Sequence, residues 1–153
     1  MNLRQLTKGL AIAGQPTPEE IATLKAQGFR TIVNVRTHAD DGYLPEEERL
    51  VESSGLNYAE IPVSPNLLDD LAVQRFSQAL DSEDAQPAIV HCGSGGRAGL
   101  MVLLHLAVHH GWSLQEALEE GARMNVAPSA TSPYRAFFES YIQHHSAGER
   151  AGE

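Results

Sequence analysis

Short apolar segments rich in β-branched residues alternate with helical segments along most of this chain, and that alternation limits the fold more than any other feature. Buried strands read as short continuous apolar runs, whereas helices repeat apolar residues three and four positions apart. The pattern predicts strands over residues 10–15, 31–35, 57–63 and 87–91. It predicts helices over residues 18–27, 45–54, 68–80, 99–109, 114–123 and 133–144.

Strands that alternate with helices at short spacing favour a parallel sheet covered on both faces. We therefore predict an α/β fold: a three-layer domain with a mostly parallel central sheet of four to five strands. A chain of 153 residues fits one domain, expected over residues 1–145. The small and charged segment 146–153 is expected to be a flexible C-terminal tail.

Charge and cysteine content narrow the classes of function. Lys and Arg number 11 against 20 Asp and Glu, which gives a formal charge of −9. Such a surface repels polyanions, so neither nucleic acid nor an acidic membrane is an expected partner. The lone cysteine has no second thiol for a disulfide or for metal binding, and we expect no metal and no cofactor. The apolar patch 10–13 is too short for a secretion signal, so the expected location is the cytoplasm.

The stretch from residue 88 to residue 99 carries the strongest functional signal. A buried strand ends at His91, and Cys92 follows it directly. A glycine-rich loop and Arg97 come next, and then a long apolar helix begins. Glycines let consecutive backbone N–H groups point into one concavity, and a helix N-terminus adds partial positive charge. The sequence therefore predicts an oxyanion-binding loop beside a cysteine.

The same environment favours a reactive thiolate. A free thiol has a pKa of about 8.5, which helix N-termini or neighbouring cations lower to roughly 3.5–7.5. Arg97 offers a planar fork that binds two oxygens of a phosphate. The predicted nucleophile is Cys92 and the predicted oxyanion clamp is Arg97. The predicted phosphate-binding residues are Gly93, Ser94, Gly95, Gly96, Arg97 and Ala98.

This loop resembles the signature loop of cysteine-dependent protein tyrosine and dual-specificity phosphatases. The wider chain is similar to the bacterial β-lactamase-hydrolase-like (DUF442) phosphatase-like family over roughly residues 10 to 125. The similar segments are 13–16, 28–36, 61–63 and 91–97. The resemblance implies a dual-specificity-phosphatase-like fold and a phosphorylated protein or small molecule as substrate. It also implies that His91 tunes the thiolate, and Arg36 is a further candidate to reach the anion or to pair with the acidic stretch 40–48.

Three departures from the phosphatase pattern leave other functions open. Only four residues separate Cys92 from Arg97, a spacing found in rhodanese-type sulfurtransferases that carry a persulfide. Ala98 stands where a hydroxyl residue commonly follows the arginine. The usual position of the general acid reads Ser-Pro-Asn, so Asp69 is the candidate acid, with helix capping as its alternative role. Beside a phosphatase, the sequence thus allows a sulfurtransferase or a weakly active domain that binds phosphorylated ligands. It does not predict an oligomeric state.

Overall fold

Five strands form one sheet in the computed structural model, which describes residues 1–146. In chain order they are β1 (Arg4–Gln5), β2 (Leu10–Ala13), β3 (Thr31–Asn34), β4 (Asn57–Glu60) and β5 (Ala88–His91). Their spatial order is β1-β2-β5-β3-β4, with β1 antiparallel to β2 and the other pairs parallel. Strand β5 therefore lies at the centre, hydrogen-bonded on both sides. The predicted mostly parallel α/β sheet is confirmed.

Alternate residues of the strands enter two separate cores, one on each face of the sheet. The larger core takes Leu10, Ile12, Val33, Ala88 and Val90, and the smaller core takes Ala11, Ala13, Ile32 and Ile89. Because both faces of the sheet are buried at its centre, β2, β3 and β5 are buried at every position and largely apolar, whereas the outer strands β1 and β4 are more exposed and more polar. The three central strands could therefore be recognised in the sequence as short apolar runs.

Helices cover both faces and complete the three layers. On the face of the smaller core lie α1 (Pro18–Leu24) and α2 (Glu47–Ser53). On the other face lie α3 (Asp70–Asp81), α4 (Gly96–His110), α5 (Leu114–Met124) and α6 (Arg135–His145). Helix α4 follows the central strand and is buried from Ala98 to Ala107.

Local sequence signals fix where two of the helices begin. The Thr17 hydroxyl accepts a hydrogen bond from the N–H of Glu20 at 3.1 Å, and the Glu20 carboxylate accepts one from the N–H of Thr17 at 2.8 Å. Ser113 and Glu116 form the same reciprocal pair at the start of α5. Each capping box satisfies two N–H groups that would otherwise lack partners.

Most predicted boundaries differ from the observed ones by one to three residues, and three differences matter for the sheet and the loop. Strand β1 was not predicted, because two residues are too few to show a periodicity. Helix α4 begins at Gly96 rather than residue 99, so the last glycine of the loop belongs to its first turn. Strand β4 ends at Glu60, although the N–H groups of Ile61 and Val63 still donate to β3 and the residue after it.

Apart from Ser146, the tail predicted over residues 146–153 lies outside the described residues. Within residues 1–146, no helix combines the length and the apolar character needed to cross a bilayer.

Candidate active site

Cys92 lies at the carboxyl edge of the sheet, where parallel α/β sheets bind their ligands. Neighbouring strands hold the backbone there on both sides. The N–H of Cys92 donates to the carbonyl oxygen of Ala13 at 3.3 Å, and the N–H of Val35 donates to that of His91 at 3.0 Å. Only 1% of Cys92 is exposed. The thiol is therefore fixed at the bottom of the loop that follows it.

The loop after Cys92 turns back over the sulfur. The N–H of Gly95 donates a hydrogen bond to Cys92 Sγ at 3.0 Å, so the sulfur acts as an acceptor here. Gly95 has φ of 101°, a left-handed conformation that glycine adopts without steric cost. On the opposite side, a Cβ at Gly14 would lie 2.8 Å from the carbonyl oxygen of Gly93. The loop thus needs one glycine within it and a second one packed against it.

Several N–H groups around the loop have no acceptor within the described residues. They belong to Gly93, Ser94, Gly96, Arg97 and Ala98. The last three lie in the first turn of α4, a helix of 15 residues whose aligned peptide dipoles place partial positive charge there. Gly93 and Ser94 are exposed. The loop can therefore offer N–H donors to an anion that enters from solvent.

Arg97 reaches across the loop to two other segments of the chain. Its Nη1 donates to the carbonyl oxygen of Val63 at 3.0 Å and to Oδ1 of Asp40 at 3.3 Å, and its Nη2 donates to Oδ2 of Asp40 at 2.5 Å. These contacts use the end of the guanidinium. On the side edge of the guanidinium, Nε and the second N–H of Nη2 have no partner among the described residues. That edge is the part of Arg97 that can bind two oxygens of an anion.

Asp40 lies in the loop between β3 and α2 and is held as a carboxylate. The hydrogen bond from Arg97 keeps the pKa of Asp40 well below its usual range, and further hydrogen bonds from Thr37 and Arg36 act in the same direction. In turn, the hydrogen bond to Asp40 raises the pKa of Arg97. An aspartate held ionised in this way is a poor proton donor but a good anchor for an arginine.

Arg36, predicted as a second candidate to reach the anion, lies buried at the end of β3. Its Nε donates to Oδ2 of Asp40 at 3.3 Å, and its Nη1 donates to Gln15 Oε1 at 2.9 Å and to the carbonyl oxygen of Gly42 at 3.1 Å. The structure thus shows the pairing with the acidic stretch that the sequence allowed as the alternative. Through Asp40, Arg36 supports Arg97 rather than facing the loop.

His91 is completely buried beside an acidic partner that the sequence did not reveal. Its Nε2 lies 2.5 Å from Oε2 of Glu47, in the first turn of α2, and 1% of the Glu47 side chain is exposed. The other oxygen of Glu47 accepts a hydrogen bond from Gln15 Nε2 at 2.6 Å. Gln15 and Arg36 thereby connect the Glu47–His91 pair to Asp40 and Arg97. This polar chain, Arg97–Asp40–Arg36–Gln15–Glu47–His91, joins the two ends of the loop.

A cavity of about 920 Å³ opens beside the loop. Its walls come from residues 2–4, the start of α4 and the segment 125–134. The cationic residues of the lining are Arg4 and Arg97, and no acidic residue contributes to it. Tyr134 lies in the wall, and burial raises the pKa of its hydroxyl. In a chain with a net charge of −9, this cavity is a local site without acidic groups that suits an anion of small-molecule size.

The remaining predicted site residues lie in different surroundings. Ser94 is exposed and lines the cavity, whereas Ala98 is buried under the loop. Asp69 caps α3, where its Oδ1 accepts a hydrogen bond from the N–H of Ala72 at 2.9 Å. Its general-acid role stays a prediction. Within residues 1–146, no group of three His, Cys, Asp or Glu side chains is arranged to hold a metal ion.

Two members of the polar chain had no distinct signal in the sequence. Glu47 is one of three consecutive glutamates, and nothing local separates the buried one from its exposed neighbours. Gln15 follows a strand, as ligand-binding residues often do, but glutamine there is also common in turns. The contact between them depends on how α2 packs against the end of β2.

The sequence matches a known protein family over residues 2–119, described as "Beta-lactamase hydrolase-like protein, phosphatase-like domain". A beta-lactamase hydrolase-like protein of Agrobacterium fabrum is 31% identical over 107 residues, and one of Xylella fastidiosa is 29% identical over the same length. The matched stretch covers 68% of this chain and 25% of each relative. The chain thus spans about a quarter of the length of these relatives.

Solved structures share the fold at low sequence identity. A DUF442 protein of Shewanella putrefaciens superposes with a TM-score of 0.76 at 21% identity, covering 94% of this chain and 93% of that one. The core catalytic domain of the PP-IP phosphatase SIW14 of S. cerevisiae gives 0.64 at 18% identity, with coverage of 99% and 90%. TpbA of P. aeruginosa, also solved as a cysteine-to-serine variant with phosphotyrosine, gives 0.65 for that complex at 21% identity, with coverage of 99% and 89%.

Proposed function

The chain belongs to the family of beta-lactamase hydrolase-like phosphatase-like domains, and on that premise we propose that it is a cysteine-dependent phosphatase that hydrolyses phosphate monoesters. The observation that carries the proposal is the arrangement around Cys92. A buried sulfur accepts a hydrogen bond from the loop that covers it, and that loop also offers unpaired N–H groups and one edge of Arg97. This is the environment that a thiolate nucleophile and a phosphoryl group require together.

The first chemical step would be attack by the Cys92 thiolate on phosphorus. The sulfur–phosphorus bond forms while the bond to the ester oxygen breaks, and the ester oxygen leaves with the bonding electrons as an alkoxide or phenolate, which then takes a proton from water. Negative charge spreads over the three remaining phosphoryl oxygens. The N–H groups from Gly93 to Ala98 and the Nε/Nη2 edge of Arg97 would stabilise that charge. Asp40 and Val63 would hold Arg97 at its other end.

A second step releases inorganic phosphate. Water attacks phosphorus, the sulfur–phosphorus bond breaks, and Cys92 returns as the thiolate. The residue after the arginine is the buried Ala98, which has no hydroxyl group to help the sulfur leave. We therefore expect the breakdown of the phosphocysteine to be slow relative to its formation.

Protonation of the leaving group distinguishes the substrates that the site can hydrolyse. Asp40 is held ionised by Arg97, and Asp69 caps α3 with one of its oxygens. General acid catalysis typically contributes about 10²–10⁴-fold in rate. Without a strong donor, we propose that aryl phosphates, whose phenols leave readily as anions, are hydrolysed much faster than alkyl phosphates.

The cavity beside the loop has room for the organic part of a substrate whose phosphate binds at the loop; Arg97 and Ser94 to Gly96 line it, whereas Cys92 itself does not. It is close in size to pockets for small molecules, about 300–1,000 Å³, and the charges in its lining are positive. A structural neighbour, TpbA, was solved with phosphotyrosine. A phosphate on an aromatic group is thus the first substrate class to test.

The test is hydrolysis of a generic aryl phosphate by the wild type and by Cys92→Ser, with a metal chelator present. We expect turnover by the wild type and none by the variant, and trapping with acid should yield one phosphate per chain on Cys92. Equal turnover by both proteins would refute the cysteine mechanism. If neither protein turns over but both bind inorganic phosphate, the domain is a binding module.

The spacing of four residues between Cys92 and Arg97 favours one second candidate, a sulfurtransferase. Thiosulfate would release sulfite and leave Cys92 as a persulfide, which then passes its outer sulfur to cyanide as thiocyanate. The two candidates differ in the covalent product. Mass spectrometry after incubation with thiosulfate detects one added sulfur on Cys92, whereas a phosphatase gains only the phosphoryl group from its substrate.

A further inference from the structure

The buried pair of His91 and Glu47 has no function in the steps described above. Both side chains are inaccessible to solvent, with exposed fractions of 0% and 1%, and Nε2 and Oε2 are 2.5 Å apart. Burying two such groups is unfavourable unless their hydrogen bonds are satisfied. Here they are satisfied, and no side-chain polar atom buried within residues 1–146 lacks a partner.

The partners of Gln15 fix the orientation of its amide. Arg36 Nη1 can only donate, so the Gln15 atom 2.9 Å from it is the oxygen. The Gln15 nitrogen then faces Oε1 of Glu47 at 2.6 Å and the carbonyl oxygen of Pro16 at 3.1 Å, and both are acceptors. One oxygen of Glu47 therefore accepts a hydrogen bond from an amide. Oε1 therefore carries no proton, and Oε2 is the oxygen that faces His91.

The contacts of His91 fix one of its protons in the same way. Nδ1 lies 3.3 Å from the carbonyl oxygen of Cys92, which can only accept, so Nδ1 carries a proton. Nε2 lies 2.5 Å from Oε2 of Glu47, and one proton lies between these atoms, on the ring in an ionised pair or on the carboxyl group in a neutral one. A histidine that donates from both nitrogens is an imidazolium. The contact of Nδ1 joins the ring to the backbone of the nucleophile, through the carbonyl oxygen of Cys92.

We propose that Glu47 is a positioning residue that keeps His91 as an imidazolium beside Cys92 and so favours the Cys92 thiolate. The inference rests on Cys92 being the nucleophile of the proposed function, but it does not depend on which bond that nucleophile attacks. Glu47 acts at a distance, since it touches His91 and Gln15 and not the sulfur. The Glu47 carboxylate also accepts a hydrogen bond from Gln15, which in turn accepts one from Arg36. Glu47 therefore also helps to hold Arg36, and Arg36 supports Arg97 through Asp40.

The experiment uses the fact that Cys92 is the only thiol of the chain. Alkylation by iodoacetamide at pH 7 and thiolate absorbance near 240 nm therefore report on Cys92 alone, whether or not the protein hydrolyses a phosphate. The variant is Glu47→Gln, which keeps the side-chain size but cannot balance an imidazolium. The matched control is Glu48→Gln, which removes the same charge from the adjacent, exposed position in the same helical turn.

We expect Glu47→Gln to lower the alkylation rate at pH 7 about tenfold or more and Glu48→Gln to change it less than twofold. Equal rates in the wild type and a folded Glu47→Gln would overturn the proposal. Should Glu47→Gln not fold, the ¹⁵N resonances of His91 in the wild type decide. Two protonated ring nitrogens at pH 7 support the proposal, and one unprotonated nitrogen refutes it. Phosphatase activity is measured separately, so its absence would refute the proposed function without touching this result.

Discussion

Replacing Asp40 by Asn tests whether the Asp40–Arg97 contact prepares the site or obstructs it. The carboxylate binds the end of the guanidinium and leaves the Nε/Nη2 edge open, which indicates preparation. In the wild type, the Thr37 hydroxyl lies 2.7 Å from Oδ1 of Asp40. In the variant, the amide nitrogen is best placed toward this hydroxyl, which can accept a hydrogen bond. The amide oxygen would still face Arg36 and Nη2 of Arg97, but the negative charge is gone.

The expected magnitude follows from the burial of the pair. The side chains of Asp40 and Arg97 are 16% and 23% exposed, so the contact is neither fully screened by water nor fully buried. A hydrogen bond to a charged group contributes about 1.5–3 kcal/mol, and we take about 2 kcal/mol for this one. If the transition state loses this stabilisation of about 2 kcal/mol because Arg97 is no longer oriented, kcat/KM for an aryl phosphate falls roughly 30-fold, since each 1.36 kcal/mol is tenfold in rate.

The assay compares kcat/KM and urea unfolding for the wild type, Asp40→Asn and Asp41→Asn. Asp41 is the matched control, because its side chain is exposed and only its carbonyl oxygen contacts Arg36. The control should keep the wild-type rate and stability. An unchanged rate in Asp40→Asn would refute the positioning role of Asp40. A higher rate would mean that Asp40 competes with the substrate for Arg97.

Three further predictions concern stability and the loop. Because the pKa of Asp40 is lowered in the folded state, its contribution to stability is complete well above the unfolded value of about 3.9 and is lost as the pH falls from there toward the lower folded pKa. The difference in unfolding free energy between wild type and Asp40→Asn should therefore be constant above about pH 5 and shrink from about pH 4 toward about pH 2, and a constant difference over that lower range would contradict this. Gly95→Ala should lower the free energy of unfolding by about 1–2 kcal/mol and slow the alkylation of Cys92, because φ at this position is 101°. Gly96→Ala should leave the melting temperature almost unchanged, because a Cβ there would lie in open space. Asp69→Ala should lower the free energy of unfolding by about 1 kcal/mol, because a helix cap is lost, whereas Asp69→Asn should keep the cap. If Asp69 is not the general acid, Asp69→Asn should also keep the wild-type rate on alkyl phosphates. A selective loss of that rate would establish Asp69 as the acid.

Local signals were sufficient to predict most of the fold. The central strands were recognisable because both faces of the sheet are buried there, and the caps at Thr17 and Ser113 marked where α1 and α5 begin. The order of the strands is a non-local property and could not be read in this way. The short antiparallel strand β1 is held by pairing with β2 rather than by its own sequence.

The site was predictable only where it is contiguous. Residues 91–98 lie together in the sequence, and their types indicate an anion-binding loop with a cysteine. The groups that orient this loop come from the ends of β2 and β3, from the loop after β3 and from α2. Each is an ordinary polar residue in its own segment. Their function arises from burial against one another, which depends on tertiary packing.

The polar chain from Arg97 to His91 has a consequence for protein engineering. Its six side chains come from four segments of the chain, at residues 15, 36–40, 47 and 91–97, so the short cysteine motif depends on parts that are remote in sequence. Transplanting residues 91–97 onto another parallel-sheet scaffold should yield a loop of similar shape whose cysteine reacts more slowly with electrophiles than Cys92 does here. A successful transplant would have to carry Gln15, Arg36, Asp40 and Glu47 with it, and the effects of exchanging them singly should not add up.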